Sequence, residues 1–286
     1  MNRLRSGPAR VHAPRSPLHS VLLRAVAFAA GRIATLAMLL AVPVLAQDRV
    51  LPFSQLRSGS TYMSADLKAM QADDFANPAM LWVEKGRKLW STKAGFSDKS
   101  CADCHGDASA SMKGVAARYP VFDAGEKRLL DLEGRITQCR TARQGAPTPA
   151  FESDELLSLT AHVATQSRGL PLKVAIDGPA APHFERGRAL YRQRIGQMNL
   201  ACMHCHDANA GRRLLAETIS QGHPNAYPAY RLEWQTVGSL QRRLRACYSG
   251  VRAELPPYGS PDLLDLSLYL AWRGEGLRIE SPGVRR

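Results

Sequence analysis

Two stretches of the chain, "CADCH" (Cys101 to His105) and "CMHCH" (Cys202 to His206), place two thiols three positions apart with a histidine directly after the second. That is the pattern of covalent haem attachment. Thiols at i and i+3 share one face of a helical turn and can add to two vinyl groups, while the adjacent imidazole reaches the iron. A zinc site or a redox C-x-x-C would use the thiols but would not require the following histidine, twice. The chain is therefore expected to carry two covalently bound haem c groups, on Cys101 and Cys104 and on Cys202 and Cys205, with His105 and His206 as axial ligands.

Two cysteines remain, Cys139 in "ITQCRT" and Cys247 in "RACYSG". The second axial position of an electron-transfer cytochrome c is commonly filled by methionine. Of the eight methionines only Met112 follows the first motif within its own half, and none follows His206. Cys139 and Cys247 are the candidates found at equivalent places in both halves. Two accounts of the pair compete: axial thiolate ligation, one cysteine to each iron, or a disulfide between them, which requires Cα atoms within about 7 Å. His162 is a further candidate for the first iron and His204 is read as a bystander. Each cysteine follows an arginine by four residues, Arg135 and Arg243, so on a helix the guanidinium shares a face with the sulfur and can favour a thiolate or hold an anion.

The elements that position these residues repeat. "VEKGRKLW" (Val83 to Trp90) matches "FERGRALY" (Phe184 to Tyr191) at an offset of 101, the offset that separates Cys101 from Cys202. "YPVF" (Tyr119 to Phe122) matches "YPAY" (Tyr227 to Tyr230) at 108, as do Arg135 with Arg243 and Cys139 with Cys247; "ELLSLTAHVA" then matches "DLLDLSLYLA" at 107. The second copy thus carries about seven more residues between its motif and its later cysteine. The fold class expected is mainly α, two tandem class I type cytochrome c domains related by this internal repeat. Asn77 and Pro78 are placed to start a helix with Leu81, Trp82, Val83, Leu89 and Trp90 on its apolar faces. Leu156, Leu157, Leu159 and Val163, and then Leu263, Leu264, Leu266 and Leu270, have the spacing of closing helices. Gly86 and Gly187 point to close helix contacts, and Pro179 and Pro182 mark a linker near residues 171 to 182.

The first 46 residues stand apart: six arginines and no acid, an apolar run from Ile33 to Leu45, and a V-x-A site at Val44 to Ala46. They read as a signal peptide cleaved after Ala46, the run being shorter than the roughly 20 residues of a membrane span. The domains expected are residues 1–46 signal peptide, 47–175 a first haem domain and 176–286 a second. Loss of six arginines takes the net charge from +13 to +7. No basic run or stacking platform accompanies it, so no nucleic-acid partner is expected, and no stable membrane span after processing. An acidic or anionic partner outside the cytoplasm fits, in a compartment that permits disulfides and covalent haem.

With these residues in hand the chain resembles the SoxA subunits of SoxAX cytochromes, the L-cysteine S-thiosulfotransferases of thiosulfate oxidation. The resemblance covers "MQADDFANPAMLWVEKGRKLW", both haem motifs, "YPAYR" and the R-x-x-x-C of the second half. It implies His/Cys ligation at both haems, Cys247 as an active-site cysteine that carries a persulfide, and Arg243 as its cationic partner. It also implies a SoxX-like cytochrome subunit in a heterodimer, a SoxYZ-like carrier, thiosulfate as substrate and cytochrome c as electron acceptor. A thiosulfate dehydrogenase forming tetrathionate would be expected to pair a His/Cys haem with a Met-ligated one. A plain two-haem electron carrier would want methionine ligands, which the second half lacks.

Overall fold

A computed structural model describes residues 51–286; the signal peptide expected over residues 1–46 lies outside them. The architecture is helix-rich with short strands. A first helix α1 (Ala65–Ala72) precedes α2 (Met80–Ser91), the motif helix α3 (Cys101–His105) and α4 (Ala108–Ser111). The hairpin β1 (Val121–Asp123) and β2 (Arg128–Leu130) leads into α5 (Leu132–Cys139), which is followed by α6 (Asp154–Thr165). The chain continues through α7 (Ala181–Arg192), the motif helix α8 (Cys202–His206) and a short hairpin β3 (Arg213–Leu214) and β4 (Glu217–Thr218). Then come β5 (Ala229–Arg231), β6 (Thr236–Gly238), α9 (Leu240–Gly250), α10 (Pro261–Arg273) and β7 (Gly283–Arg285). β5 is the centre of a three-stranded sheet, antiparallel to β6 and parallel to β7.

Helical spacing of leucines puts α6 and α10 at the centre of the packing. Leu156, Leu157, Leu159 and Val163 are buried on α6, and Leu263, Leu264, Leu266 and Leu270 on α10. Each buried leucine contributes about 1.5–3 kcal/mol relative to leaving it exposed. α6 packs on α2 and α10 on α7, and in both pairs a glycine sets the approach. A Cβ on Gly86 would lie 2.0 Å from the Ser158 carbonyl oxygen, and one on Gly187 2.1 Å from that of Asp265. Only glycine permits backbones this close. Ser153 caps α6, its side chain accepting from the Leu156 amide, while Pro261 occupies the first turn of α10 after Ser260.

Several expectations are adjusted. Between each motif and its later cysteine lie the β1–β2 and β5–β6 hairpins, whose three-residue strands are too short to show alternation in the sequence. Asn77 does not cap α2, which starts from Ala79. Its Oδ1 instead accepts from the Ala79 amide at 3.0 Å and its Nδ2 donates to the Pro282 carbonyl at 3.1 Å, a buried tie to the C-terminus. Leu81 is 72% exposed. The linker near 171–182 ends earlier, since α7 begins at Ala181, and its start is paired: Leu172 donates to Leu277 and Ile279 to Leu170. Residues 53–72 bond to the C-terminal part of the chain, through Arg57 to Gln221 and Asn225 to Ser58. Among the described residues no helix is long and apolar enough to cross a membrane.

Candidate functional site

The first motif is held by a capping box. The Ser100 hydroxyl accepts from the Asp103 amide at 3.0 Å and Asp103 accepts from the Ser100 amide at 2.8 Å, which fixes the turn bearing Cys101, Cys104 and His105. Trp90 of α2 donates from Nε1 to Gly106 at 2.9 Å, its ring 5.8 Å from that of His105 and 5.9 Å from that of His162. Cys139, at the end of α5, lies within reach of the charges of Cys101 and Cys104. Arg135 shares its face, but every part of that guanidinium is engaged. It donates to Tyr119 Oη at 3.1 Å, Gln138 Oε1 at 2.5 Å and Asp123 Oδ2 at 2.5 Å. Burial pushes the Cys139 thiol up, and Arg135 and Arg143 only partly offset it.

The second motif is capped differently. Ala201 offers no side-chain oxygen, and His204 supplies the cap instead: its Nδ1 accepts from the Ala201 amide at 2.8 Å while Arg194 approaches its Nε2 at 3.3 Å. His204, taken as a bystander, therefore shapes the motif helix. Beyond it Asp207 accepts from Tyr191 Oη at 2.8 Å and pairs with Arg273, whose guanidinium stacks 4.3 Å over the Tyr191 ring, pinning α8 to α7 and α10. His206 donates from Nδ1 to the Ser220 carbonyl at 2.8 Å. That bond sets the tautomer and leaves Nε2 as the free donor atom, the usual preparation of a metal-binding imidazole. Gly222, at φ +76°, lies so near that a Cβ would stand 2.9 Å from His206 Cγ.

Cys247, half-buried on α9, lies close to the His206 imidazole and feels the charges of Cys202 and Cys205. Burial pushes its thiol up, but Arg243 first, then the neighbouring His206 and the charge of Arg231, outweigh burial and bring it down to about 7. Arg243 donates no side-chain hydrogen bond among the described residues; its nearest carboxylate, Glu233, is 3.9 Å away. The donor set fits a covalently attached haem iron: two thiols on one helical turn, an imidazole with its distal nitrogen free, and a thiol facing that nitrogen. No disulfide joins Cys139 to Cys247.

Residues 85–172 match the SoxA/TsdA cytochrome c domain family. The chain is 41% identical over 236 residues to the L-cysteine S-thiosulfotransferase subunit SoxA of Pseudaminobacter salicylatoxidans, covering 82% of each protein. Against the SoxA subunit of Paracoccus pantotrophus it is 37% identical over 233 residues, 82% of this chain and 80% of the relative. The crystal structure of SoxXA from P. pantotrophus superposes with a TM-score of 0.78 over 81% of this chain and 87% of the other, at 37% identity. The chain belongs to the SoxA family.

A cytochrome c domain of this family carries covalently bound haem c. The structure gathers the sequence candidates into two groups, Cys101, Cys104 and Cys139 in one and Cys202, Cys205, His206, Arg243 and Cys247 in the other. His105 shares the turn of the first group, while His162 is buried against Trp90 with its Nδ1 unbonded and lowered by burial. Residues not singled out in the sequence complete the second group: Ser220 through its carbonyl, Glu217, Arg231 and Glu233. Ser220 carries no sequence signal, because a backbone acceptor is indifferent to side-chain type.

Proposed function

We propose that this SoxA chain is the A subunit of a periplasmic L-cysteine S-thiosulfotransferase and that its second half, built on Cys202 to Cys247, is the catalytic one. In this reading residues 47–175 and 176–286 are tandem cytochrome c domains, each with one haem c. The thioether bonds come from Cys101 and Cys104 and from Cys202 and Cys205, and the axial pairs are His105 with Cys139 and His206 with Cys247. Support comes from a shared succession in both halves, a glycine-bearing helix, a motif helix, a hairpin, a cysteine-bearing helix and a closing helix, to which the first half adds α4 and the second the β3–β4 hairpin. A SoxX-like cytochrome is the partner subunit, consistent with the SoxXA complex of the structural relative.

In the reaction the sulfane sulfur of thiosulfate forms an S–S bond with a cysteine of a SoxYZ-like carrier; the cysteine gives up its proton and two electrons leave for an acceptor cytochrome c. The bound haem supplies a site that takes up those electrons one at a time. The residues of the chain do the rest. His206 is oriented by Ser220, and Cys247 is drawn toward its thiolate form chiefly by Arg243, placed to hold sulfur cargo, as a persulfide. Arg243 offers a planar fork to a dianion.

The single observation that carries the assignment is the contrast between the two arginines. Arg135 is spent on three protein acceptors, whereas Arg243 makes only a loose 3.9 Å ion pair. The cofactor part of the reading is tested by whole-protein mass spectrometry and low-temperature EPR of the oxidised protein. Two haem additions with low-spin thiolate-type signals are expected, and a single haem would remove the tandem reading.

A further inference from the structure

Asp123 and Arg231 occupy the same place in two hairpins. β1 and β5 are three residues each, β1 pairs antiparallel with β2 and β5 with β6, and an offset of 108 carries Asp123↔Arg128 onto Arg231↔Thr236. In the first half the carboxylate at this place neutralises Arg135 at 2.5 Å. In the second half the charge is reversed, and the offset also turns Gln138, another acceptor of Arg135, into Ala246.

Arg231 is buried, its side chain only 4% exposed, and a buried guanidinium requires anionic partners. It has two. Its Nε donates to Glu233 Oε1 at 2.8 Å, and its Nη2 to Glu217 Oε1 at 3.3 Å. Glu217 sits on β4, in the stretch that the second half carries in excess of the first. The Glu233 oxygen bound by Arg231 is the same atom that stands 3.9 Å from Arg243 Nη1. Trp234 closes the group, with the guanidinium of Arg231 5.1 Å and that of Arg242 4.3 Å from its ring centre.

We propose that Arg231 is a positioning residue that draws the Glu233 carboxylate away from Arg243, so that the Arg243 guanidinium is left open to an entering thiosulfate dianion. Without Arg231, Glu233 needs to close only about 1 Å to reach the charge-assisted distance of about 2.8 Å, and Arg243 would then be neutralised as Arg135 is by Asp123. The inference rests on the reading of Cys247 and Arg243 as the thiosulfate site.

The test uses the haem-loaded chain in complex with its X subunit, with the carrier and acceptor cytochrome for turnover and thiosulfate alone for calorimetric binding. Arg231→Gln is expected to raise both the KM and the calorimetric Kd for thiosulfate about tenfold, the effect of one charge-assisted hydrogen bond, with a smaller change in kcat. Arg231→Lys should recover part of the loss. The double variant Arg231→Gln/Glu233→Gln should recover most of the lost KM and Kd, because the carboxylate nearest Arg243 is gone and only Glu217, the other partner of Arg231, remains to compete. Glu233→Gln alone keeps Arg231 in place and should leave thiosulfate binding equal or tighter.

An unchanged KM and Kd in Arg231→Gln, a double variant no better than the single one, a weakened Glu233→Gln, or a wild type that binds no thiosulfate would each overturn the proposal. A misfolded Arg231→Gln leaves the lysine and Glu233 variants to decide it. Failure of the underlying site reading looks different: turnover would survive Cys247→Ala. Failure of this inference alone leaves turnover dependent on Cys247 while Arg231 proves irrelevant to KM.

Discussion

Gly187→Ala places a methyl group where α7 meets α10, 2.1 Å from the Asp265 carbonyl oxygen and 2.9 Å from Tyr269 Cβ. An ordinary carbon-to-carbonyl approach is about 3.3 Å, so the helices must separate by roughly 1 Å, enough to forfeit a quarter to a half of each dispersion contact at the seam. Neither partner can rotate away, because the blocking atom is backbone. Overpacking of this kind costs about 3 kcal/mol, and the higher helix propensity of alanine returns about 1 kcal/mol. The net loss of about 2 kcal/mol corresponds to a fall in Tm of about 4–8 °C for a protein of this size. Far-UV circular dichroism melts of the haem-loaded protein measure it. Gly250→Ala is the control, since it adds a methyl group with nothing within 4 Å at the end of α9 and should leave Tm unchanged or raise it. If Gly187→Ala behaved like Gly250→Ala, the close approach of α7 and α10 would be refuted.

Gly222→Ala should disturb the second haem selectively, through a Cβ at 2.9 Å from His206 Cγ and a left-handed φ of +76° that alanine resists; an EPR spectrum identical to wild type would contradict it. Glu133 lines the space between the halves with Asp131, and burial together with the charge of Asp131 raises its carboxyl well above the usual range. The folded state therefore binds that proton more tightly than the unfolded chain does. Its stabilising effect is complete below about pH 4.3, the unfolded value, and is lost as pH rises toward the folded one. Melting temperatures measured from pH 4 to 8 should decline less in Glu133→Gln than in wild type, and parallel curves would refute the assignment.

What the sequence carried was the chemistry. Two motifs of fixed spacing, two later cysteines at equal offsets and two leucine-rich helices are local patterns, and the leucine-rich helices are buried as their spacing implies. Gly86 and Gly187 were legible for the same reason, since a glycine inside a strong helix pattern calls for a packing cause. The site's electrostatics were less legible. Asp123 and Arg231 share an offset with Arg135 and Arg243, so their reversal of charge is written in the repeat. Its meaning appears only once the strands pair and bring residue 123 to Arg135 and residue 231 toward Arg243 through Glu233. The pairing of residues 53–72 with the C-terminal part, and of β5 with β7, joins segments more than 50 residues apart and has no periodic signature. His204 acquired its role because Ala201 cannot cap its own helix, a relation visible only at the level of the turn.

The central claim is that Cys247, and not Cys139, is the sulfur on which the reaction takes place. Its direct test is thiosulfate-dependent reduction of an acceptor cytochrome by the complex with the X subunit and carrier present, comparing Cys247→Ala with Cys139→Ala, haem content being checked in both by mass spectrometry. Cys247→Ala should keep both haems and lose turnover, while Cys139→Ala should retain turnover with an altered first-haem spectrum. Near-normal turnover in Cys247→Ala, or loss of turnover in Cys139→Ala alone, would contradict the assignment of the second half as the catalytic one.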